Sequence, residues 1–203
     1  LQDEAYDRYI GIAYPDMTLV TIGFGVFAYG TRGQGTPEMQ RVLSGEWMRE
    51  NLDYGHGALL DQYVTWGDGT YLEGEVPGAQ FGTNEDMLNS TAWWSGTAYE
   101  RYHFISEGDS PTYFFLFDTG LRDEEAWNYG GYSGRYIPAK KVLNGVTLPH
   151  YYSSARDYVT TEGVKSSPRV ENAQLRWTEY LQHDFAVRAD WCIENKYENA
   201  NHR

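Results

Sequence analysis

The sequence predicts an α/β fold, as part of an open and mostly parallel sheet with flanking helices and long loops. A helix is predicted over 3–14, because Asp3 can cap its first turn and Pro15 stops its last. The β-branched run at 17–22 predicts a short buried strand directly after it. A helix, a Pro-containing turn and a buried strand are typical of open α/β sheets. The predicted helix has one shared apolar face, formed by Ala5, Tyr9, Ile12 and Ala13.

Two further helices are predicted, separated by long loops. Ser44 can cap a helix that continues to about Leu52, and a final helix is predicted over 170–193. The stretches 64–94 and 106–134 are rich in loop-forming residues and show little periodicity, which is typical of functional loops. The apolar stripe predicted for the final helix consists of Trp177, Leu181, Phe185, Ala189 and Cys192.

Charge disfavours two classes of partner. The chain has 203 residues and a formal net charge of −13. Such a chain is repelled by nucleic-acid backbones and by anionic membrane surfaces. We therefore expect neither nucleic acid nor membrane as a partner, while self-association stays open.

Aromatic residues are unusually frequent, at 16% of the chain, with 18 Tyr and 7 Trp. Exposed rings can stack on the flat apolar faces of sugars, although rings can equally fill a core. The single cysteine, Cys192, excludes an internal disulfide. The glycosylation triplet at Asn89 favours an extracellular or cell-envelope location.

His56 is the first candidate site residue. It lies between Gly55 and Gly57, just after a predicted helix end, and Asn51 lies at that end. His56 could act as a general acid or base, or donate a hydrogen bond to a ligand hydroxyl. Alternatively, it interacts with the negative end of the helix dipole.

Glu107 and Asp109 are the second candidates. Two carboxylates separated by one glycine can converge on a ligand or a metal ion, and their like charges favour acid–base chemistry. Alternatively, Asp109 caps a helix or turn that starts at Ser110-Pro111.

A Gly-rich loop over 127–136 is the third candidate. Trp127 and Tyr132 offer stacking faces, and its glycines let the backbone approach a ligand. Arg135 could clamp a ligand carboxylate, or pair internally with Glu107 or Asp109.

Several of these segments resemble the nucleoside-hydrolase-like domain of the Sde182-like cellulose-binding protein family. The resemblance implies an open α/β sheet of the nucleoside-hydrolase type, with 1–193 as the C-terminal half of that domain and 194–203 as a linker or tail. It also implies a Ca²⁺ cofactor whose ligands come mainly from an N-terminal aspartate cluster that this sequence lacks. We therefore expect a separate N-terminal half or a processed partner chain. The matching segments are EWMREN (46–51), HG (56–57), EGDSPTYF (107–114), GGYSGRY (130–136) and DFAVRADWC (184–192).

Two functions follow from the resemblance. In the first, the chain forms part of a glycosidase acting on a carbohydrate or nucleoside ligand, with metal-activated water. The second is a non-catalytic module that binds a cellulose-like polysaccharide. The candidate catalytic residues are His56, Glu107 and Asp109, and the candidate ligand-binding residues are Asn51, Trp127, Tyr132 and Arg135.

Overall fold

The computed structural model describes residues 4–22, 34–71, 81–83, 99–104, 110–193 and 196. The chain divides into two compact units. The sheet unit comprises Leu1–Phe27 and Glu107–Trp177, and the helical unit comprises Ala28–Ser106 and Thr178–Arg203. Each unit therefore draws on two separate stretches of the sequence.

Helices occur in both units, whereas the named strands lie in the sheet unit. In chain order, the helices are α1 (Glu4–Ala13), α2 (Pro37–Val42), α3 (Gly45–Met48), α4 (Gly57–Leu60), α5 (Ser110–Phe114), α6 (Asn172–Leu175) and α7 (Thr178–Trp191), and a π-helix (Arg49–Asp53) follows α3. The strands are β1 (Leu19–Thr21), β2 (Tyr136–Pro138), β3 (Val142–Leu143), β4 (Val146–Thr147), β5 (Tyr151–Ser154), β6 (Thr160–Thr161) and β7 (Val164–Lys165).

A three-stranded sheet in the order β1-β5-β2 lies in the sheet unit. β1 runs parallel to β5, with Leu19 opposite Tyr151, and β2 runs antiparallel to β5, with Ile137 opposite Ser153. The mixed α/β class is as predicted. The mostly parallel sheet is not confirmed, since the other strand pairs in the described part of the chain are antiparallel. β1 is half-buried along its length, rather than buried as the sequence predicts.

Two hairpins accompany this sheet, β3–β4 and β6–β7. Their two-residue turns are Asn144-Gly145 and Glu162-Gly163, and all four residues have positive φ angles between 49° and 80°. Such turns match the right-handed twist of the paired strands. The Asn-Gly pair is a sequence signal that predicts the first hairpin.

Helix α1 packs through a different face from the one predicted. Tyr9 and Ile12 are 64% and 45% exposed, whereas Asp7 and Gly11 are buried. A Cβ atom at Gly11 would lie 2.7 Å from the Leu143 side chain, so the absence of a side chain permits this close approach. The apolar-face prediction was wrong because contact is made through the small residue instead.

The helical unit begins with two capped helices. The Thr36 hydroxyl accepts a hydrogen bond from the Met39 amide at 3.2 Å, and the Ser44 hydroxyl accepts one from the Trp47 amide at 3.3 Å. These bonds satisfy amides that have no partner within their own helices. The helix predicted from Ser44 to about Leu52 is confirmed, although its second half is π-helical. Helix α2 was not predicted.

Helix α7 packs against α2 and the π-helix to form the core of this unit. The Gln182 side-chain amide donates to the Val42 carbonyl at 2.8 Å, which satisfies two buried polar groups. The buried apolar residues of this core are Val42, Leu43, Trp47, Met48, Leu52, Leu181 and Ala189.

The helix predicted over 170–193 is two helices, α6 and α7, interrupted at Arg176 and Trp177. Within the predicted stripe, Leu181 and Ala189 are buried, whereas Phe185 is half-buried. Trp177 belongs to the sheet unit, whereas the other four residues of the predicted stripe belong to the helical unit.

The long loops are partly as predicted. Residues 64–71 and 81–83 contain turns without a helix or extended strand. The second loop contains α5, which begins at Ser110 as the Asp-Ser-Pro alternative predicts. The described residues do not include Asp3 or Asn89, and of the predicted tail (194–203) they include only Lys196. Across the part of the chain that is described, every helix is too short or too polar to cross a membrane.

Gly45→Ala should destabilise the chain by about 2–3 kcal/mol, as overpacking at a rigid contact does. A Cβ atom at Gly45 would lie 2.0 Å from the Arg101 carbonyl oxygen, and a backbone atom cannot move aside cheaply. Urea unfolding measures the difference. Glu46→Ala, at the exposed next position of α3, is the control and should change stability by less than about 0.5 kcal/mol. Equal effects would contradict the packing described for Gly45.

Candidate functional site

The Gly-rich loop (127–136) is closed by its own backbone. The Tyr136 amide donates to the Trp127 carbonyl at 2.8 Å, and Gly131 and Gly134 exchange two hydrogen bonds at 3.1 and 3.0 Å. The Tyr136 hydroxyl donates to the Ser133 carbonyl. The loop therefore returns on itself before β2 begins.

An aromatic cluster supports this loop. Phe115, the residue directly after α5, lies edge-on to Trp127, with ring centroids 5.3 Å apart, and its ring centroid lies 5.6 Å from that of Tyr136. Phe114 lies edge-on to Tyr132 at 6.3 Å. Edge-on contacts of this kind stabilise packing beyond the burial of area alone. The aromatic cluster consists of Phe114, Phe115, Trp127, Tyr132, Tyr136 and Tyr152.

The rings differ in the surface that they offer to a ligand. Tyr132 is only 8% exposed, and its carbonyl accepts a hydrogen bond from the buried Gln174 amide at 2.5 Å. Trp127 is half-buried, whereas Tyr129 is 56% exposed. The structure thus places the predicted stacking residue Tyr132 inside and presents Tyr129, which the sequence argument did not single out.

Arg135 is occupied by an internal partner. Its Nε and Nη2 atoms lie 3.0 and 2.5 Å from the two carboxylate oxygens of Asp157, and Arg176 approaches the same carboxylate at 3.5 Å. The hydrogen bonds from Arg135 hold the pKa of Asp157 below its usual value. The internal alternative for Arg135 agrees with this geometry, and the partner seen among the described residues is Asp157.

A buried carboxylate lies against the same loop. Asp123 is 3% exposed, and its Oδ2 atom has no hydrogen-bond partner among the described residues. A Cβ atom at Gly131 would lie 2.3 Å from that oxygen, so the loop requires glycine there. Burial raises the pKa of the Asp123 carboxyl.

His56 lies in the helical unit and is also held by protein groups. It is 9% exposed, with Nε2 3.1 Å from the Glu50 carbonyl oxygen and Nδ1 3.2 Å from Asp190 Oδ1. Because a carbonyl only accepts, Nε2 carries a proton. The Nδ1 atom makes no hydrogen bond in the described structure, although it lies within ion-pair distance of Asp190. The bond to Glu50 agrees with the helix-end interaction considered for His56.

Asn51 is engaged within its own helix. Its side-chain amide donates to the Trp47 carbonyl one turn earlier, at 2.9 Å. This contact lies at the junction of α3 and the π-helix, and π-helical turns occur frequently at functional sites.

A carboxyl pair near His56 was missed in the sequence. The Thr65 hydroxyl oxygen lies 2.8 Å from Asp53 Oδ2 and 3.1 Å from Asp68 Oδ2. Burial raises the pKa of Asp53 to about 6, and the charge of Asp68 acts in the same direction. The Thr65 hydroxyl, His56 and Arg49 oppose this increase. The pairing joins residues that are separated in the chain, so no local motif predicted it.

The candidate residues therefore fall into separate groups. Trp127, Tyr132 and Arg135 meet in the sheet unit, and Asn51 and His56 belong to the helical unit. The candidates Glu107 and Asp109 lie outside the described residues. Within the residues that are described, no group of three or more His, Cys, Asp or Glu side chains could hold a metal ion.

Residues 1–136 match a family model described as "Cellulose-binding Sde182, nucleoside hydrolase-like domain". The chain belongs to this family. The matched part includes Asn51, His56 and the Gly-rich loop up to Tyr136, whereas the resembling segment at 184–192 lies beyond it. No curated protein and no solved structure gives a match.

Arg135→Lys should destabilise the chain by about 1–2 kcal/mol, because lysine cannot form the two-pronged contact with Asp157. Chemical denaturation gives this difference. Arg156→Lys replaces an exposed arginine of the same unit and should be close to neutral. If the two variants unfold alike, the contact with Asp157 does not hold the loop.

Proposed function

We propose that this chain binds a neutral β-linked glucan of the cellulose type through the Gly-rich loop. The exposed ring of Tyr129, on a loop held by the aromatic cluster, carries this proposal. A flat ring with one free face can cover the apolar face of a glucose unit. The family description supports the ligand class, and the loop lies within the matched residues.

The surroundings of Tyr129 suit a neutral sugar. Asn128 is exposed next to it, and a side-chain amide can both donate to and accept from sugar hydroxyls. A neutral polysaccharide is not repelled by a chain whose net charge is −13, whereas a polyanionic one is. Arg135 is committed to Asp157, so the loop does not offer it as a clamp for acidic sugars. Binding of a polysaccharide implies an extracellular or cell-envelope location, which is part of the proposal.

Tyr129→Ala should weaken binding to insoluble cellulose about tenfold, the equivalent of one lost stacking contact. Depletion of the chain from solution by increasing amounts of cellulose measures the change. Tyr14→Ala is the matched control, because Tyr14 is also 56% exposed and belongs to the same unit outside the loop. Its binding should be unchanged.

Two outcomes would count against this surface. Either Tyr129→Ala binds as tightly as the unmodified chain, or Tyr14→Ala loses as much affinity. Circular dichroism of both variants checks that the fold is retained, so that a loss of affinity reports on the ring itself.

Hydrolysis of a glycosidic bond is the second candidate, because the matched domain is described as nucleoside hydrolase-like. We propose Glu107, Asp109 and His56 for this chemistry on the basis of the family resemblance. His56 would have to release the Glu50 carbonyl before its Nε2 proton could reach a leaving group. The described residues contain no group of three or more His, Cys, Asp or Glu side chains that could hold a Ca²⁺ ion.

Assays against nucleosides and aryl furanosides, with and without Ca²⁺ and a family segment carrying the aspartate cluster, test the second candidate. Turnover that is abolished by Glu107→Gln would support it. Cellulose binding without turnover under all of these conditions would support the binding function and exclude hydrolysis of these substrates.

A further inference from the structure

We propose that Asp53, Thr65 and Asp68 form a proton-dependent latch that fastens the end of the π-helix to the loop 65–70. The latch lies in the helical unit and goes beyond the proposed sugar binding, which we assign to the sheet unit. Its basis is the convergence of two carboxylates on one buried hydroxyl group.

The cluster has a single hydroxyl proton between two carboxylates. Thr65 is fully buried, and its single hydroxyl proton can be donated fully to only one carboxylate. When both carboxylates are ionised, the carboxylate that does not receive this proton faces the lone pairs of the hydroxyl oxygen. With one added proton, Asp53 donates to Thr65 and Thr65 donates to Asp68, so that both contacts become hydrogen bonds.

The surrounding bonds identify Asp53 as the carboxyl that holds this proton. Asp68 already accepts hydrogen bonds from the amides of Thr65 and Thr70, each at 2.6 Å, so both of its oxygens have donors. Asp53 Oδ1 is buried without a hydrogen-bond partner in the described structure. A buried oxygen without a donor is much less costly on a neutral carboxyl than on a charged one.

The charges around Asp53 are mixed. The π-helix contributes Arg49, the residues after it contribute His56, and the facing loop contributes Asp68. Helix α7 contributes Asp190, which contacts His56. Burial and the charge of Asp68 raise the pKa of Asp53, and together they outweigh the lowering by the Thr65 hydroxyl, His56 and Arg49.

The pH range of the latch follows from the direction of this change. The pKa of Asp53 rises from 3.8 to about 6 on folding, so the folded chain retains a proton that the unfolded chain has released. The stability contributed by this proton is complete below about pH 4 and is lost as pH rises through about 6. The latch is therefore closed in mildly acidic solution and loosened at neutral pH.

Carboxyl carbon NMR on the full chain tests the latch, combined with hydrogen exchange of the Thr65 and Thr70 amides. We expect the Asp53 signal to titrate near pH 6. The amide protection factors, corrected for intrinsic exchange, should fall by roughly tenfold between pH 5 and 7.5.

The variants separate the latch from general acid effects. Asp53→Asn carries a permanent donor, so it should keep the amides protected across this range. Thr65→Val removes the bridging hydroxyl with little change in shape and should abolish the pH response. Asp61→Asn, an exposed carboxyl of the same unit, should leave the response unchanged. If Thr65→Val does not fold, Asp53→Asn decides the question alone.

Two results would overturn the proposal. In one, Asp53 titrates in the ordinary range near pH 4. In the other, the amides of Asp53→Asn lose protection with pH as much as those of the unmodified chain.

Discussion

The packing of Phe115 against Trp127 and Tyr136 is the constraint on which the sheet unit depends. It joins the residue after α5 to both ends of the Gly-rich loop, and Tyr136 is also the first residue of β2. Because β2 pairs with β5, the same contact links the loop to the sheet. Tyr129 can face solvent in a defined position because the rings on either side of it are held.

Hydrogen bonds and an ion pair also hold the Gly-rich loop in place. The Arg135–Asp157 pair joins the end of the loop to the segment after β5, and the Ala155 amide also donates to the Arg135 carbonyl at 2.7 Å. Gln174 reaches the Tyr132 carbonyl from α6. Arg135 is thereby engaged within the protein, although the sequence alone makes it a candidate for ligand binding. The loop is thus held rigidly and offers few polar side chains to a ligand. This favours the binding of a flat, neutral sugar face over a catalytic role for the loop.

The sequence predicted best where local signals act alone. The cap at Ser44 and the stop at Pro15 are short-range effects, and both helices have nearly the predicted bounds. The Asn144-Gly145 turn is equally local and would have predicted a hairpin. Burial was predicted less well. Tyr132, and not Tyr129, was expected to be the exposed ring, but Tyr132 packs against Phe114 of α5, a contact that the sequence does not indicate. The meeting of Asp53 with Asp68 depends in the same way on the folding of a loop back onto a helix end.

An NMR titration of the full chain with soluble cellohexaose tests whether the Gly-rich loop binds a β-linked glucan. Selective labelling of Trp and Tyr rings follows the loop and distant sites in one experiment. Sugar binding at the Gly-rich loop should give saturable shifts at Tyr129 and smaller ones at Trp127, whereas the exposed rings of Tyr14 and Tyr180 should not shift. Saturable shifts confined to rings of the helical unit, or no shifts up to millimolar ligand, would contradict it.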